Sequence, residues 1–457
     1  MKKIHFIGMG GIGMSALARL LIERGVQVSG SDAGESALLK TIERLGGRIH
    51  LGHRAGNINH PDAVVYSSSI APGNPELVAA RNRGIPVLHR GQMLARLVED
   101  RRTVAVAGSH GKSTTTAMIA QLLTQAGCDP LLALGAEVEA LGGNARAGRG
   151  PCAVVEADES DNSFLWLRPW AAVITNIDDE HLDYFRDRWE IDEAYETFAR
   201  RVHPEGALIG CIDDARVRSL FSRARPQKIS YGLAGDARFR AADVQLNAGW
   251  SQFRCLRDGR TLGKIKLSVP GVHNVVNSLA AVAAGDLLGL DFSLTARVLE
   301  SYQGARRRFQ IHADVGGVLV VEDYGHHPAE IEATLAAARG WKGRRIRCVF
   351  QPHRYSRTHH LLDRFRGCFA AADELILLPV YAASEEPLEG ATSTALAAIV
   401  RQPARKKVRL QTPHEALAYL QGTRASGDLV LFLGAGSVGS MAQQFSKILH
   451  HAENRAS

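Results

Sequence analysis

The chain has 457 residues, 45% of them apolar and 22% charged, with a formal charge of +8. That length predicts two to four domains rather than one core, in a composition ordinary for a globular chain. The charge is mild and dispersed, which fits anionic small ligands and makes no case for nucleic acid; the densest basic run, Arg405-Lys-Lys-Val-Arg409, reads as a solvated loop or strand edge. The longest charge-free run, Leu267 to Gly285, carries two Asn, a His and a Pro, so no membrane span is expected. Six scattered cysteines include no Cys-x-x-Cys pair, which argues against a zinc knuckle or disulfide framework and suits a reducing cytoplasm. The N-terminus, Met1-Lys-Lys-Ile-His-Phe-Ile7, enters a strand at once, so a cytoplasmic protein without a signal peptide is expected.

The first hundred residues alternate strand and helix signals. Ile4 to Ile7 reads as a strand, Gly8-Met-Gly-Gly-Ile-Gly13 as a Gly-x-Gly-x-x-Gly turn, and Met14 to Arg24 as a helix; Val26 to Ser29 is the next strand, ending at Ser31-Asp32. This pattern alone suggests a nicotinamide cofactor. Its physics states only that a phosphorylated ligand can lie on the helix N-terminus, and a tight turn without ligand is the plain alternative. Strands follow at Ala63 to Tyr66, before Ser67-Ser-Ser69, and at Pro86 to Leu88.

After Glu99-Asp-Arg-Arg102, which reads as a linker, Thr103 to Ala107 is a buried parallel strand leading into Gly108-Ser-His-Gly-Lys-Ser-Thr114 and a helix to Ala126. Gly108 and Gly111 allow a sharp turn whose N–H groups, including those of Ser109 and His110, point at phosphate oxygens. Lys112 is then expected on the β/γ-phosphates and the Ser113 or Thr114 hydroxyl on Mg²⁺. Two further strands, Ala153 to Glu156 and Ala171 to Thr175, end in acidic stretches, with Glu156 and His181 as candidate metal contacts; solvated acidic loops are the alternative. Trp189 to Val202 reads as an amphipathic helix, and residues 205–270 as short strands and turns without recognisable chemistry. Gly271-Val-His-Asn-Val-Val-Asn277 opens a small-residue helix with Asn274 and Asn277 on one face, as ligand contacts or as caps.

The last third repeats the logic. Val318 to Val321 ends in Glu322-Asp-Tyr-Gly-His-His-Pro328, and Ile346 to Phe350 in Gln351-Pro-His-Arg-Tyr-Ser-Arg-Thr358, where Arg354 and Arg357 suit a carboxylate. His326 and His327 are adjacent in a loop, which favours hydrogen bonding over joint metal ligation. Strands at Glu374 to Leu378 and Leu429 to Leu433 complete a third sheet, followed by the glycine cluster Gly434-Ala-Gly-Ser-Val-Gly439.

In this order, Ile7-Gly-Met-Gly-Gly-Ile-Gly-Met-Ser15, Gly108–Thr114, Glu156-Ala-Asp-Glu-Ser-Asp161, His181-Leu-Asp183, His273–Asn277, Arg307-Arg-Phe309, Asp323–Pro328 and Phe350–Thr358 resemble the Mur ligases of peptidoglycan precursor synthesis over nearly the whole chain. The resemblance implies an α/β enzyme of three domains: a Rossmann-like UDP-sugar-binding domain (1–100), a P-loop-type, mostly parallel ATPase domain (101–304) and a Rossmann-like amino-acid-binding domain (305–457). It implies Gly10, Gly11, Ile12, Ser31, Asp32 and Ser68 at UDP. Gly108 to Thr114, Asn274, Asn277, Arg307 or Arg308, and Asp323 would meet ATP. Ser113, Glu156 and His181 would meet Mg²⁺, and Tyr324, His326, His353, Arg354 and Arg357 the amino acid. Lys112, His326 and Arg354 would be catalytic. The implied reaction joins L-alanine to the lactyl carboxylate of UDP-N-acetylmuramate through an acyl phosphate, in a monomer or weak homodimer that binds neither nucleic acid nor membrane. A sister ligase adding a preformed tripeptide, a nicotinamide-dependent oxidoreductase and a non-catalytic nucleotide-binding regulator are the rivals. Ser109 and Ser113 stand where the family usually has Thr, and both keep a hydroxyl. No lysine occurs between Lys112 and Lys228, so the carbamylated lysine of several sister ligases is not expected.

Overall fold

The computed structural model describes residues 1–181, 184–383, 385–401 and 407–456. Leu182 and Asp183 of the His-Leu-Asp motif, and Arg405 and Lys406 of the basic run, lie outside the described residues.

Three sheets follow one another along the chain. Strands β1 (Lys3–Ile7), β2 (Gln27–Asp32), β3 (Arg48–Leu51), β4 (Ala63–Tyr66) and β5 (Val87–His89) pair in the order β3-β2-β1-β4-β5, all parallel. The winding reverses between β1 and β4, and the glycine turn after β1 lies at that reversal, where parallel sheets open a crevice for ligands.

The central sheet holds β6 (Arg102–Ala107), β7 (Leu131–Val138), β8 (Gly143–Arg146), β9 (Cys152–Glu156), β10 (Ala171–Ile174), β11 (Ala207–Cys211), β12 (Gln227–Gly232), β13 (Phe239–Asn247), β14 (Trp250–Arg257) and β15 (Arg260–Leu267). Their order is β15-β14-β13-β12-β11-β10-β6-β9-β7-β8, parallel from β13 to β7 and antiparallel at both margins. Strand β6 lies between β9 and β10, so it is covered on both faces and reads as a continuous apolar run. Val104 and Val106 pack under helices Lys112–Gln125 and Val272–Leu287. Ala105 and Ala107 join the opposite core, which contains Phe164, Tyr195 and Phe198 and continues to Leu17 and Leu20 of the first sheet's helix.

The third sheet comprises β16 (Gln310–Val315), β17 (Val318–Asp323), β18 (Arg345–Phe350), β19 (Glu374–Leu377), β20 (Lys407–Leu410) and β21 (Asp428–Leu433), in the order β16-β17-β21-β18-β19-β20. Only β16 runs antiparallel among the described strands of this sheet. The architecture is α/β with mostly parallel sheets, as expected. Two features exceed the sequence reading. Residues 205–270 form not merely short pieces but two parallel strands and a long antiparallel meander, β13 to β15. Hairpin β7–β8 also went unread, because Gly143-Asn-Ala-Arg146 has neither alternation nor bulk to mark it.

Among the described residues, no helix is long and apolar enough to cross a membrane.

Candidate active site

The loop after β6 is built as the glycine spacing predicts. Gly108 has φ 131° and Gly111 φ 80°, both in the region that favours glycine. A Cβ would stand 2.0 Å from Thr175 Oγ1 at the first and 2.6 Å from Asn277 Oδ1 at the second. The end of β10 braces the loop: Asn176 O accepts from Ser109 N (3.1 Å), Asn176 Oδ1 accepts from His110 N (2.8 Å), and Thr175 Oγ1 donates to His110 O (2.6 Å). Gly111 then starts helix Lys112–Gln125 without a side-chain cap. Its first-turn N–H groups and dipole are thereby offered to an anion.

Lys112 Nζ donates to Gly108 O at 2.7 Å and pairs with Glu159 Oε1 at 2.7 Å. Burial works against that charge, but Glu159, Asp158 and Glu156 together raise the ammonium above lysine's ordinary pKa. Glu159 is 2% exposed, and its second oxygen is buried without a hydrogen-bond partner. His181 Nε2 lies 3.8 Å from Glu159 Oε1 and 3.5 Å from Glu180 Oε2. Glu156 Oε2 accepts from Gly135 N (3.0 Å) at the end of β9. Ser113 is buried in the helix's first turn.

Beside the loop a cavity of about 220 Å³ opens between the second and third sheets, lined by His110, Gly111, Thr114, Asn274, Asn277 and Arg308 among others. Asn274 Nδ2 donates to Pro270 O at 2.7 Å, so this residue both ties the helix start and faces the cavity. His273 also lines it, with Nδ1 buried and unpartnered; burial and Arg308 hold that imidazole at about 4. Asp323 lines the far side and accepts from Phe309 N (2.7 Å) and Gly325 N (2.7 Å). Arg307 is the correction here. It has a φ of 60°, and its guanidinium donates to Glu322 (2.7 Å) and to the carbonyls of Gly434 and Gly436 (3.0 Å each), bracing the last glycine turn. Arg308, not Arg307, reaches the cavity.

The expected amino-acid group is brought together at the carboxyl ends of β17 and β18. His326 and His353 lie with ring centroids 5.7 Å apart, Tyr324 meets His326 edge-on, and His353 stacks on Tyr381. Arg357 bonds His353 Nδ1 at 3.1 Å and approaches Glu180 of the central sheet at 3.6 Å. Arg354 starts the helix Tyr355–His360 with φ 66°, its N–H donating to Tyr381 O. His326 Nδ1 donates to Tyr324 O (3.1 Å); burial and then Arg357 hold its ring at about 4.

Among the described residues, His110, Asp178 and His327 form one cluster close enough to hold a cation. It does not suit one. Arg364 already grips Asp178 through both oxygens (2.9 and 3.1 Å). Although burial opposes charge on His110, the carboxylates of Asp178 (3.2 Å) and Glu330 (3.5 Å) facing its ring nitrogens raise it to about 10, leaving it charged. The cluster is a clamp between central and third sheets.

In the first sheet, Gly8 has φ 81°, and Gly11 starts helix Ile12–Glu23 without a side-chain cap. Asp32 Oδ2 accepts from Gly10 N at 2.7 Å. The Ser31 hydroxyl was expected at the ligand; it is fully buried and turned the other way, onto Glu76 and His53, while its carbonyl accepts from Gly8 N and Met9 N. Ser68 bonds His89 Nε2 (3.1 Å) and Asp161, and Arg90 spans Asp158 (2.6 Å) and Asp161 (2.9 Å), joining the first sheet to the second.

Three family models match consecutive stretches: the Mur ligase family catalytic domain over residues 3–102, the Mur ligase middle domain over 106–285, and the Mur ligase glutamate ligase domain over 307–436. The chain belongs to the Mur ligase family. It is 45% identical to the UDP-N-acetylmuramate–L-alanine ligase of Desulforamulus reducens over 98% of both chains. It is 44% identical to the enzyme of that name from Symbiobacterium thermophilum, over 98% of this chain and 95% of the other. The crystal structure of UDP-N-acetylmuramate-alanine ligase from Thermotoga maritima superposes with a TM-score of 0.85 at 28% identity, covering 98% of this chain and 99% of that one. A MurF ligase from Thermotoga maritima, solved with ADP, shares the fold at a TM-score of 0.64 and 17% identity, over 94% and 97% of the two chains.

Within this Mur ligase, the functional residues that sequence reasoning missed are Glu159, Asp178, Glu180 and Glu330. Glu159 lies in the Glu156–Asp161 motif, Asp178 and Glu180 just before His181, and Glu330 just after Pro328, but nothing in their spacing sets them apart from acidic neighbours. Burial and a cationic partner do.

Proposed function

We propose that the chain is an ADP-forming ligase that joins L-alanine to the lactyl carboxylate of UDP-N-acetylmuramate, in peptidoglycan precursor synthesis. The observation that carries this reading is the full-length identity of 45% to an enzyme so named, over a fold whose central sheet presents the Gly108–Thr114 loop. Residues 1–100 hold the UDP-sugar, 101–304 bind ATP and 305–457 receive the amino acid.

The lactyl carboxylate attacks the γ-phosphorus of ATP; the bond to the β-bridging oxygen breaks, ADP leaves, and an acyl phosphate forms. Lys112 exchanges Glu159 for the triphosphate, and the first-turn amides and Arg354 stabilise charge on the transferring group. Asn274, Asn277, Arg308 and Asp323 hold the nucleotide in the cavity. The residues present fit Mg²⁺: the orphaned Glu159 oxygen, the Ser113 hydroxyl, Glu156 and His181 would hold it, and it would supply electrostatic stabilisation of the phosphates. Arg357, His353 and Tyr324 seat alanine. Its neutral amine attacks the acyl carbon and phosphate departs from the tetrahedral intermediate. His326 Nε2 takes the amine proton; an imidazole held near 4 keeps that proton only in transit.

The protein acts in the cytoplasm as a monomer or weak homodimer. Phosphate release with ATP, UDP-N-acetylmuramate and a panel of acceptors tests the reading. L-alanine is expected to be the best acceptor; preference for a preformed tripeptide, or no release with any acceptor, overturns it.

A further inference from the structure

The mechanism above leaves Glu76 unused. It lies in the first turn of helix Pro75–Asn82, yet its side chain is wholly buried. Both carboxylate oxygens are filled by donors. Oε2 accepts from the Ser31 hydroxyl at 2.5 Å and faces His5 Nε2 at 3.4 Å, while Oε1 accepts from Arg54 N at 3.2 Å and from Asn57 Nδ2. Burial opposes its charge, but the bonds from His5, Ser31 and Asn57 hold it at about 2.

The protons can then be counted. Ionised Glu76 only accepts. Ser31 has one hydroxyl proton, and Glu76 takes it. The remaining bond to Ser31 Oγ, from His53 Nδ1 at 2.9 Å, must therefore be donated by the ring. A neutral His53 carries its proton on Nδ1 and presents Nε2 as a bare acceptor. His53 follows β3, at the carboxyl edge of the first sheet, with its side chain 21% exposed. The residue that orients it is also the one whose carbonyl anchors Gly8 and Met9 of the glycine turn.

We infer that Glu76 is a positioning residue of the sugar-nucleotide site: acting through Ser31, it fixes His53 as a hydrogen-bond acceptor, which selects a base with a ring N–H donor. Uracil has that donor at N3. Cytosine has a lone pair there, which would face the lone pair of Nε2. The inference rests on the UDP-sugar reading above, and extends it from what is bound to how the base is chosen.

The test uses full-length enzyme with ¹⁵N-labelled histidine, His53 being assigned with His53→Gln. At about pH 8 the wild type is expected to show a protonated Nδ1 and an unprotonated Nε2. Ser31→Ala keeps the carbonyl that holds the glycine turn and removes only the hydroxyl relay. It is expected to mix the two tautomers, to raise KM for UDP-N-acetylmuramate about tenfold with kcat and the KM for ATP within about twofold, and to bring UDP and CDP affinities, at least about tenfold apart in the wild type, close to parity. Ser31→Thr, which restores a hydroxyl, is expected to recover the discrimination. Glu76→Gln should behave like Ser31→Ala; if it does not fold, the Ser31 pair and the wild-type spectrum decide. A protonated Nε2 in the wild type, or UDP/CDP discrimination unchanged in Ser31→Ala, overturns the inference. Failure of wild-type enzyme to release phosphate with UDP-N-acetylmuramate and L-alanine overturns the ligase reading instead, and leaves the tautomer measurement intact.

Discussion

The proposed chemistry leans most on Lys112, and its neighbours define what its loss would do. Lys112→Ala removes a side-chain cation bonded to Gly108 O, and leaves Glu159 buried with no ammonium to offset it. Turnover is expected to fall by a factor of about 1,000 or more, the scale of losing a preorganised charge at a transferring phosphoryl group. Coupled assay of ADP release checks this, and near-normal release would contradict the role. Lys112 was legible in the sequence because a Gly-x-x-Gly-Lys-Ser run between strand and helix has little other use. Glu159 was not, because Glu156, Asp158, Glu159 and Asp161 look alike until burial separates them. Arg307 and Arg308 show the same limit: adjacent cations are equivalent on paper, yet Arg307 bonds Glu322 and the last glycine turn while Arg308 lines the cavity.

At the scale of elements, the loop and the far end of the third sheet make contrasting predictions. Gly111→Ala places a methyl 2.6 Å from Asn277 Oδ1 at a φ of 80°, strained in both respects. It should cost about 1–3 kcal/mol of stability, and a larger fraction of ATP affinity because the loop must shift. Calorimetry with ATP and thermal unfolding separate the two effects. At the amino ends of β18, β19 and β21, Arg347 is fully buried between Glu374 (2.9 Å) and Asp428 (3.2 Å), with Arg345, Arg409 and Tyr419 also on Glu374. Glu374→Ala strands a buried guanidinium and should cost about 3–5 kcal/mol, with activity per folded molecule unchanged. An unaltered melting temperature would contradict this. Parallel strands such as β6, β10 and β21 were readable because burial on both faces leaves unbroken apolar runs. The edge strands β3, β8 and β16 were not, since edge strands carry mixed residues and borrow their order from a neighbour.

Polar contacts also hold the three sheets to one another. Ser68 and Arg90 reach Asp161 across the first junction, while Arg364, His110 and Arg306 bind Asp178, Glu330 and Glu137 across the second. No local pattern announces such pairs, because their members come from different sheets and are often more than a hundred positions apart. Their electrostatics predict a pH response. His110 is raised from histidine's ordinary 6.5 to about 10, so its contribution to docking is fully present below about 6.5 and is lost as pH rises through about 10. Small-angle scattering on the ligand-free enzyme should show the radius of gyration growing across that window, and a flat profile would contradict the clamp.

The pairing of Lys112 with Glu159 has a consequence for selectivity. Paired in this way, the loop exposes no naked positive charge. Inorganic phosphate, or any stray oligophosphate, has to evict a resident acid before it can settle. Small anions should therefore be feeble competitors, and only a visitor that also reaches Asn274 and Asn277 can make the exchange worthwhile.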